Sequence, residues 1–217
     1  LWTRLLPSPG EPLPAQTVHW ELAHDEGFQR IVQKGQATAA PERGHSVHVE
    51  VRGLEPGRWY HYRFMLGQAT SATGRTCTAP ALHALPGRLR VAFASCQRWE
   101  HGHYAAWRHV CIDQPDLVLF LGDYIYEYGA GERDYGMRTG LELGRIPVPA
   151  HEIVTLDDYR RRHAQYKADP QAQAAHARAA WIMTFDDHEV TNDPWEGGAQ
   201  NHNGGEGDWA DRKAAAL

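Results

Sequence analysis

The sequence has few cysteines, no long apolar run and no excess of positive charge. Its 217 residues include only three cysteines, and an odd number argues against a framework built from disulfides. No apolar run approaches the roughly 20 residues that a membrane-spanning helix needs. The net charge of −5 leaves no basic stripe, which argues against nucleic acid as a partner. With 42% hydrophobic and 23% charged residues, the composition is that of an ordinary globular protein.

Both ends of the sequence read as parts of regular elements. Residues 1–5 have the pattern of a strand, with no initiator methionine and no signal peptide before them. Residues 210–217 have the pattern of a helix. We therefore expect a fragment that is cut at both ends.

The first eighty residues carry a β pattern in which apolar and polar residues alternate. The alternating runs are 18–22, 47–51 and 60–64. Alternation of this kind marks strands with one buried face, as in an antiparallel sandwich. Turn-forming residues separate the runs at 7–10, 34–36 and 53–57.

Leu54, Pro56 and Tyr60 follow the order that leads into the tyrosine corner of fibronectin type III and immunoglobulin-like sandwiches. We therefore expect an N-terminal antiparallel β-sandwich over residues 1–80. Prolines and a glycine then predict a linker at 81–87.

From residue 88 to 217 the pattern changes to strands that alternate with helices. Strands are predicted at 89–94, 116–121 and 181–185, helices at 103–112, 156–167 and 171–180, and a polar loop at 128–149. Such alternation is typical of an α/β domain with a mostly parallel sheet whose faces are both covered. The expected fold class is therefore an α+β chain of two domains.

A potential metal ligand follows each of the three predicted strands. Cys96 follows the first, Asp123 the second, and Asp187 and His188 the third. Because the carboxyl ends of parallel strands lie on one edge of a sheet, these side chains should converge. Three such strand ends in succession predict a metal site.

The residue types narrow the choice of metal. The carboxylate of Asp123 could bridge two cations, an arrangement used in phosphoester hydrolysis. A thiolate from Cys96 and a phenolate from Tyr126 favour a hard trivalent or transition ion such as iron, since tyrosine ionises only near pH 10 on its own. Asp187 could hold calcium or another divalent ion. His188 could be a ligand or a proton donor to the leaving oxygen.

Four alternatives remain open from the residues alone. Taken singly, Asp123 could be a buried acid that caps a loop, and Cys96 a small buried hydrophobe. A cysteine-nucleophile hydrolase that uses Cys96 and His188 would leave Asp123 and Tyr126 without a task. A fibronectin-like adhesion or carbohydrate-binding module, joined to a degenerate catalytic domain, is the alternative from another class.

The segments at 95–97, 121–128 and 186–190 resemble the motifs of PhoD-type alkaline phosphatases, which belong to the calcineurin-like metallophosphoesterase superfamily. The resemblance covers nearly the whole sequence. It extends to 53–56, 60–64 and 74–76 in the predicted sandwich and to the arginine-rich helix at 159–162. It implies a metal-dependent phosphomonoesterase or phosphodiesterase, with residues 88–217 forming the first part of a metallophosphoesterase domain.

The resemblance also implies roles for single residues. Cys96 and Tyr126 look like ligands of Fe³⁺, and Asp123 looks like the bridging carboxylate. Asp187 occupies the position of the asparagine in the superfamily's Gly-Asn-His-Glu motif and looks like a ligand of a second ion, Ca²⁺. Asp123 and His188 are the expected catalytic residues, with His188 as the acid. The implied reaction is in-line attack on phosphorus by a metal-bound hydroxide.

The family further implies a phosphoester substrate and a periplasmic or secreted location. Export in this family typically uses a twin-arginine signal, which the 217 residues do not contain. We expect the remaining metal ligands beyond Leu217, and we place Asn192 in the same loop as Asp187.

Overall fold

The computed structural model describes residues 1–7, 13–131 and 137–217. The strands within these residues are β1 (Trp2–Arg4), β2 (Gln16–Ala23), β3 (Ile31–Ala39), β4 (Ser46–His48), β5 (Trp59–Leu66), β6 (Ala69–Thr70), β7 (Gly74–Cys77), β8 (Val91–Ala94), β9 (Leu117–Phe120), β10 (Ala180–Met183), β11 (Pro194–Trp195) and β12 (Gly198–Ala199). The helices are α1 (Ala105–Asp113), α2 (Met137–Leu143), α3 (Leu156–Lys167), α4 (Pro170–Arg178) and α5 (Trp209–Ala216).

The chain has mixed α and β content and divides into two compact units. One unit comprises Leu1–Leu89 with His176–Ala180, and the other Arg90–Ala175 with Trp181–Leu217. No described helix has the length and apolar character needed to cross a membrane.

The first unit is built on an antiparallel sheet. Its strands run in the order β3-β2-β5-β6, with β7 also paired to β5, and β1 pairs with β4 separately. Val18, Ala39, Val47 and Phe64 form the buried core. Three of these, Val18, Val47 and Phe64, come from the alternating runs of the sequence, because alternation places every second side chain on the covered face.

The buried Tyr60 ties a turn to β5. Its hydroxyl accepts a hydrogen bond from the backbone N–H of Glu55 at 3.1 Å. This bond joins the turn at 53–57 to the strand that follows it, which is the contact that the tyrosine-corner pattern predicts.

The predicted turn at 34–36 is wrong, because these residues lie inside β3. Gly35 is paired with Trp20, and a Cβ on Gly35 would lie 2.7 Å from the indole ring. The glycine therefore gives the ring room to lie across the strand and does not turn the chain. The run at 47–51 is a strand only as far as His48, and the turn at 7–10 lies partly outside the described residues.

The second unit contains a three-stranded sheet in the order β10-β9-β8, with β8 and β9 parallel. Val118 and Phe120 of β9 are fully buried. Trp107 of α1 packs on the same face, with its ring centroid 6.1 Å from Phe120 and 4.8 Å from Trp181. These aromatic contacts make one face of the sheet a core.

The other face of this sheet does not meet the expectation that both faces are covered. Phe93 is 75% exposed and Ile182 is 60% exposed. Phe93 is paired with Leu119 and so lies on the side opposite Phe120, because side chains alternate along a strand. Within the predicted loop at 128–149 the structure has the helix α2, while residues 132–136 lie outside the described part.

Candidate metal centre

Backbone hydrogen bonds place the ends of β8 and β9 side by side. The N–H of Leu121 donates to Ala94 O at 2.8 Å, and the N–H of Cys96 donates to Gly122 O at 3.2 Å. The N–H of Gln97 then donates to Asp123 O at 3.1 Å. The parallel pairing thus continues past the strands and brings Cys96 next to Asp123.

Cys96 and Asp123 share an uncommon backbone conformation. Their φ angles are 59° and 56°, in the left-handed region that residues with a Cβ rarely adopt. Holding such a residue costs about 1–3 kcal/mol, and residues of this kind cluster at functional sites. Here the turn redirects both side chains at the point where the strands end.

Gly122 allows a third segment to approach the same strand end. Its φ is 101°, and an added Cβ would lie 2.4 Å from Asp186 Cβ and 2.5 Å from Asp186 N. A side chain at this position would push the two segments apart. The absence of a side chain at Gly122 therefore leaves room for the backbone of Asp186.

The buried Glu189 holds these segments together. Its Oε2 accepts from the N–H of Asp123 at 3.0 Å and of Asp186 at 2.7 Å, and its Oε1 accepts from the N–H of Tyr124 at 2.5 Å. Burial raises the pKa of Glu189, and the three N–H groups oppose that rise. No local pattern in the sequence indicates this role of Glu189, because the N–H groups that it binds lie in distant segments and in the turn before it.

The Cys96 thiol and the Tyr126 hydroxyl both contact the same carboxylate oxygen of Asp123. Cys96 Sγ lies 3.3 Å from Asp123 Oδ2, and the Tyr126 hydroxyl donates to the same oxygen at 3.0 Å. Burial, together with the neighbouring Asp123 charge, raises the pKa of Tyr126. A phenolate at this position therefore needs a strongly polarising cation.

Asp123 also belongs to a second group. One ligand atom each from Asp123, Asp187 and His188 lie within 4.8 Å of one another. Asp187 Oδ2 is 4.0 Å from His188 Nε2, and the His188 ring centroid is 4.3 Å from that of Tyr126. The structure thus places the other four predicted site residues around the carboxylate of Asp123.

The donor set fits a cation. Asp123 is 5% exposed, and its Oδ1 is buried without a hydrogen-bond partner among the described residues. Buried carboxylate oxygens are normally paired, and a bound cation would provide the partner. Carboxylate, phenol, thiol and imidazole groups together offer the ligand types that transition and divalent metals take.

Asn192 lies in the same loop, but its side chain points to other partners. The side-chain amide donates to Asp193 Oδ2 at 3.2 Å and to Gln200, while its backbone N–H donates to Glu127 Oε1 at 2.8 Å. Asn192 therefore helps to hold the loop, and its amide nitrogen faces Gln200.

Glu127 lies after β9 and is a fully buried acid that contacts this loop, and no pattern in the sequence indicates a role for it. Its Oε2 lies 2.7 Å from His188 Nδ1, and its Oε1 accepts from Asn201 Nδ2 at 2.8 Å. Burial acts to raise the pKa of Glu127, but its hydrogen bonds with His188, Asn192 and Asn201 outweigh burial and lower it. The contact with Glu127 in turn overcomes the effect of burial on His188 and raises the pKa of the ring.

Asp123 is a buried carboxylate that contacts a thiol and a phenol, and it lies within 4.8 Å of a second carboxylate and an imidazole, a group that could hold a cation. Comparison with known proteins specifies the class further. The family model described as PhoD-like phosphatase matches residues 91–217, and the model described as PhoD-like phosphatase, N-terminal domain, matches residues 1–80. The chain belongs to the PhoD-like phosphatase family, and the resemblance seen in the sequence is confirmed.

Two relatives show how closely the chain follows this family. It is 50% identical over 199 residues to alkaline phosphatase D of Bacillus subtilis (strain 168), an alignment that covers 88% of this chain and 33% of that protein. A solved structure of PhoD matches it with a TM-score of 0.88 at 44% identity, covering 99% of this chain and 41% of that one. The chain thus spans about a third to two fifths of the length of these relatives.

Proposed function

We propose that this chain carries part of the active site of a metal-dependent phosphoric ester hydrolase of the alkaline phosphatase D type. The observation that carries the proposal is the position of Asp123, which is shared by the Cys96–Tyr126 pair and by the Asp187–His188 pair. A carboxylate with partners on both sides suits the bridging role in a centre of two cations.

Cys96, Tyr126 and Asp123 would hold Fe³⁺, and Asp123 and Asp187 would hold Ca²⁺ or another divalent ion. The thiol and the phenol support this division, because they favour a more polarising ion than oxygen ligands alone do. When bound, such cations supply a hydroxide nucleophile near neutral pH and stabilise the charge that develops on the phosphoryl group.

His188 is proposed as the acid that protonates the leaving oxygen. Its Nε2 is on the side of Asp187, and its ring packs against Tyr126 and Tyr128 at centroid distances of 4.3 and 5.3 Å. The two aromatic rings pack against the imidazole, whose side chain is 11% exposed. A raised pKa keeps a proton available on His188 for transfer.

Phosphate monoesters and diesters are the proposed substrates, and a periplasmic or secreted location follows from the family. We further propose a fibronectin-like sandwich at 1–80, a linker at 81–87 and the first part of an α/β metallophosphoesterase domain at 88–217. The antiparallel pairing in the first unit, the Tyr60–Glu55 contact and the ranges of the two family models support this division.

Metal binding provides the direct test. The full-length protein, which includes the remaining ligands expected beyond Leu217, is purified and loaded with Fe³⁺ and Ca²⁺. Bound metal is measured by elemental analysis, and hydrolysis of p-nitrophenyl phosphate and its diester is followed. We expect bound iron with a visible phenolate absorption that Tyr126→Phe removes, and a loss of both metals and of hydrolysis in Asp123→Asn. Asp157→Asn, which changes a carboxylate that is 79% exposed, is the matched control and should behave as the wild type.

A colourless, iron-free protein would contradict the iron assignment. If Asp123→Asn left hydrolysis intact, the bridging role would be wrong. If the wild type neither bound metal nor hydrolysed either ester, the adhesion or carbohydrate-binding alternative would be favoured.

A further inference from the structure

Trp195 is an exposed aromatic residue in the segment that follows the candidate metal centre. It lies in β11, seven positions after His188, and is 59% exposed. A single exposed apolar side chain is common on protein surfaces, so exposure by itself assigns no role. The backbone around this indole gives it a fixed position and a supported ring.

The indole lies against the backbone of the opposite strand. β11 and β12 are antiparallel, and Trp195 is opposite Gly198. A Cβ on Gly198 would lie 2.9 Å from Cζ2 and 3.2 Å from Cε2 of the indole, and a Cβ on Gly197 would lie 3.7 Å from Nε1. Only a residue without a side chain leaves room for the ring at Gly198. Glycine backbone therefore supports one part of the indole, and the rest of the ring faces solvent.

Two hydrogen bonds hold this hairpin, one at its stem and one at its tip. At the stem, the N–H of Asp193 donates to Asp187 Oδ2 at 2.9 Å. At the tip, Trp209 Nε1 donates to Glu196 O at 3.1 Å. A side chain whose backbone is already held in place loses less conformational freedom when a ligand binds to it. The indole of Trp195 is thus a preorganised surface.

The stem also determines how far Trp195 lies from the candidate metal centre. Asp187, which accepts the hydrogen bond from Asp193, groups with Asp123 and His188 within 4.8 Å. Trp195 is two residues beyond Asp193, and two residues of extended chain span at most about 7 Å. The indole is therefore within reach of the organic part of a molecule whose phosphoryl group lies at this centre.

We propose that Trp195 is a specificity-determining residue that binds an aromatic ring in the alcohol part of the phosphoester substrate. A planar ring can stack on the solvent-facing side of the indole, whereas a small aliphatic group has no π face to offer it. This inference rests on the proposed function, because it assumes that the phosphoryl group lies at Asp123 and Asp187.

Two phosphonates, which contain no ester bond to hydrolyse, test the ring contact without turnover. The full-length protein is loaded with Fe³⁺ and Ca²⁺, and the Kd values of phenylphosphonate and methylphosphonate are measured by isothermal titration calorimetry. We expect phenylphosphonate to bind more tightly to the wild type. In Trp195→Ala its Kd should rise about 5- to 100-fold, the range seen when an aromatic stacking surface is removed, while the Kd of methylphosphonate stays nearly the same. Trp195→Phe keeps a ring and should retain most of the preference.

Trp2→Ala is the matched control. Trp2 is 39% exposed and lies in β1, which contributes no residue to the candidate centre, so both Kd values should equal those of the wild type. A hairpin that loosened in Trp195→Ala would disturb Asp187 and weaken the binding of both phosphonates. Loss of a ring contact weakens the binding of phenylphosphonate alone.

Equal affinity of the wild type for the two phosphonates would overturn the proposal, and this comparison needs no variant to fold. An unchanged preference in Trp195→Ala, or binding of neither compound, would overturn it as well. A preference that depends on Trp195 in a protein that hydrolyses no phosphoester would refute the proposed function and leave the ring site standing. The two failures are therefore distinguishable.

Discussion

Arg162→Leu is expected to be strongly destabilising, because one buried guanidinium closes the loops around the candidate metal centre. Arg162 lies on α3, is 1% exposed and donates to five backbone carbonyl oxygens. These belong to Tyr126, Tyr128, Val148, Pro149 and His151. The Tyr126 carbonyl lies in the stretch that also supplies a proposed metal ligand.

The size of the effect can be worked out from these contacts. A hydrogen bond from a charged donor contributes about 1.5–3 kcal/mol, and the five are not additive. Burial lowers the pKa of Arg162, so removing the charge also relieves a desolvation cost. After that relief, we take the net loss as at least two hydrogen bonds of about 1.5 kcal/mol each, which lowers the free energy of unfolding by about 3 kcal/mol. For a chain of this size, such a loss lowers Tm by roughly 6–12 °C.

Thermal unfolding followed by circular dichroism measures this change. Arg161→Leu is the matched control, since Arg161 is the preceding residue of the same helix and is 54% exposed. Its substitution should change stability by no more than about 0.5 kcal/mol. Equal shifts of Tm in the two variants would refute the reasoning that the five carbonyl contacts of Arg162 hold these loops.

Three further predictions concern positions nearby. Gly122→Ala should lower the free energy of unfolding in urea by about 1–3 kcal/mol, because the new methyl group would lie 2.4 Å from Asp186 Cβ and φ is 101°. Gly87→Ala is the control and should leave this free energy nearly unchanged, because nothing lies within 4 Å of the added methyl group. Equal effects of the two substitutions would contradict this account. Glu189→Gln should lower the same free energy of unfolding by about 1–3 kcal/mol, because the amide NH₂ must face at least one N–H donor that the carboxylate now accepts from. An unchanged urea midpoint would show that these N–H groups find other partners. Burial lowers the pKa of Lys167 from 10.5 to about 8, so the native chain releases this proton while the unfolded chain keeps it, and stability should rise with pH between these values. The rise is measured as the difference in the free energy of unfolding between the wild type and Lys167→Met, because the titration of the tyrosines contributes equally to both proteins. A difference that does not change with pH would refute the lowered pKa of Lys167.

Local patterns in the sequence determined much of the fold and indicated which residues lie together in the candidate site. Alternation predicts β2 and β5, and the apolar runs predict β8, β9 and β10 within two residues at their ends. A strand pattern followed at once by a polar residue needs only a few neighbouring positions to be recognised. For that reason the sequence alone predicts that four residues lie close together: Cys96, Asp123, Asp187 and His188.

Tertiary structure alone decided which side chains hold these residues in place. Glu189 reaches the N–H of Asp123 across 66 positions, and Glu127 reaches His188 across 61. Three arginines in a row on α3 look alike in the sequence, yet only the turn of the helix within the packed unit makes Arg162 the buried one. Likewise, Gly35 reads as a turn until its partner Trp20 is known. Such roles depend on contacts between distant segments, and no local pattern of residues encodes them.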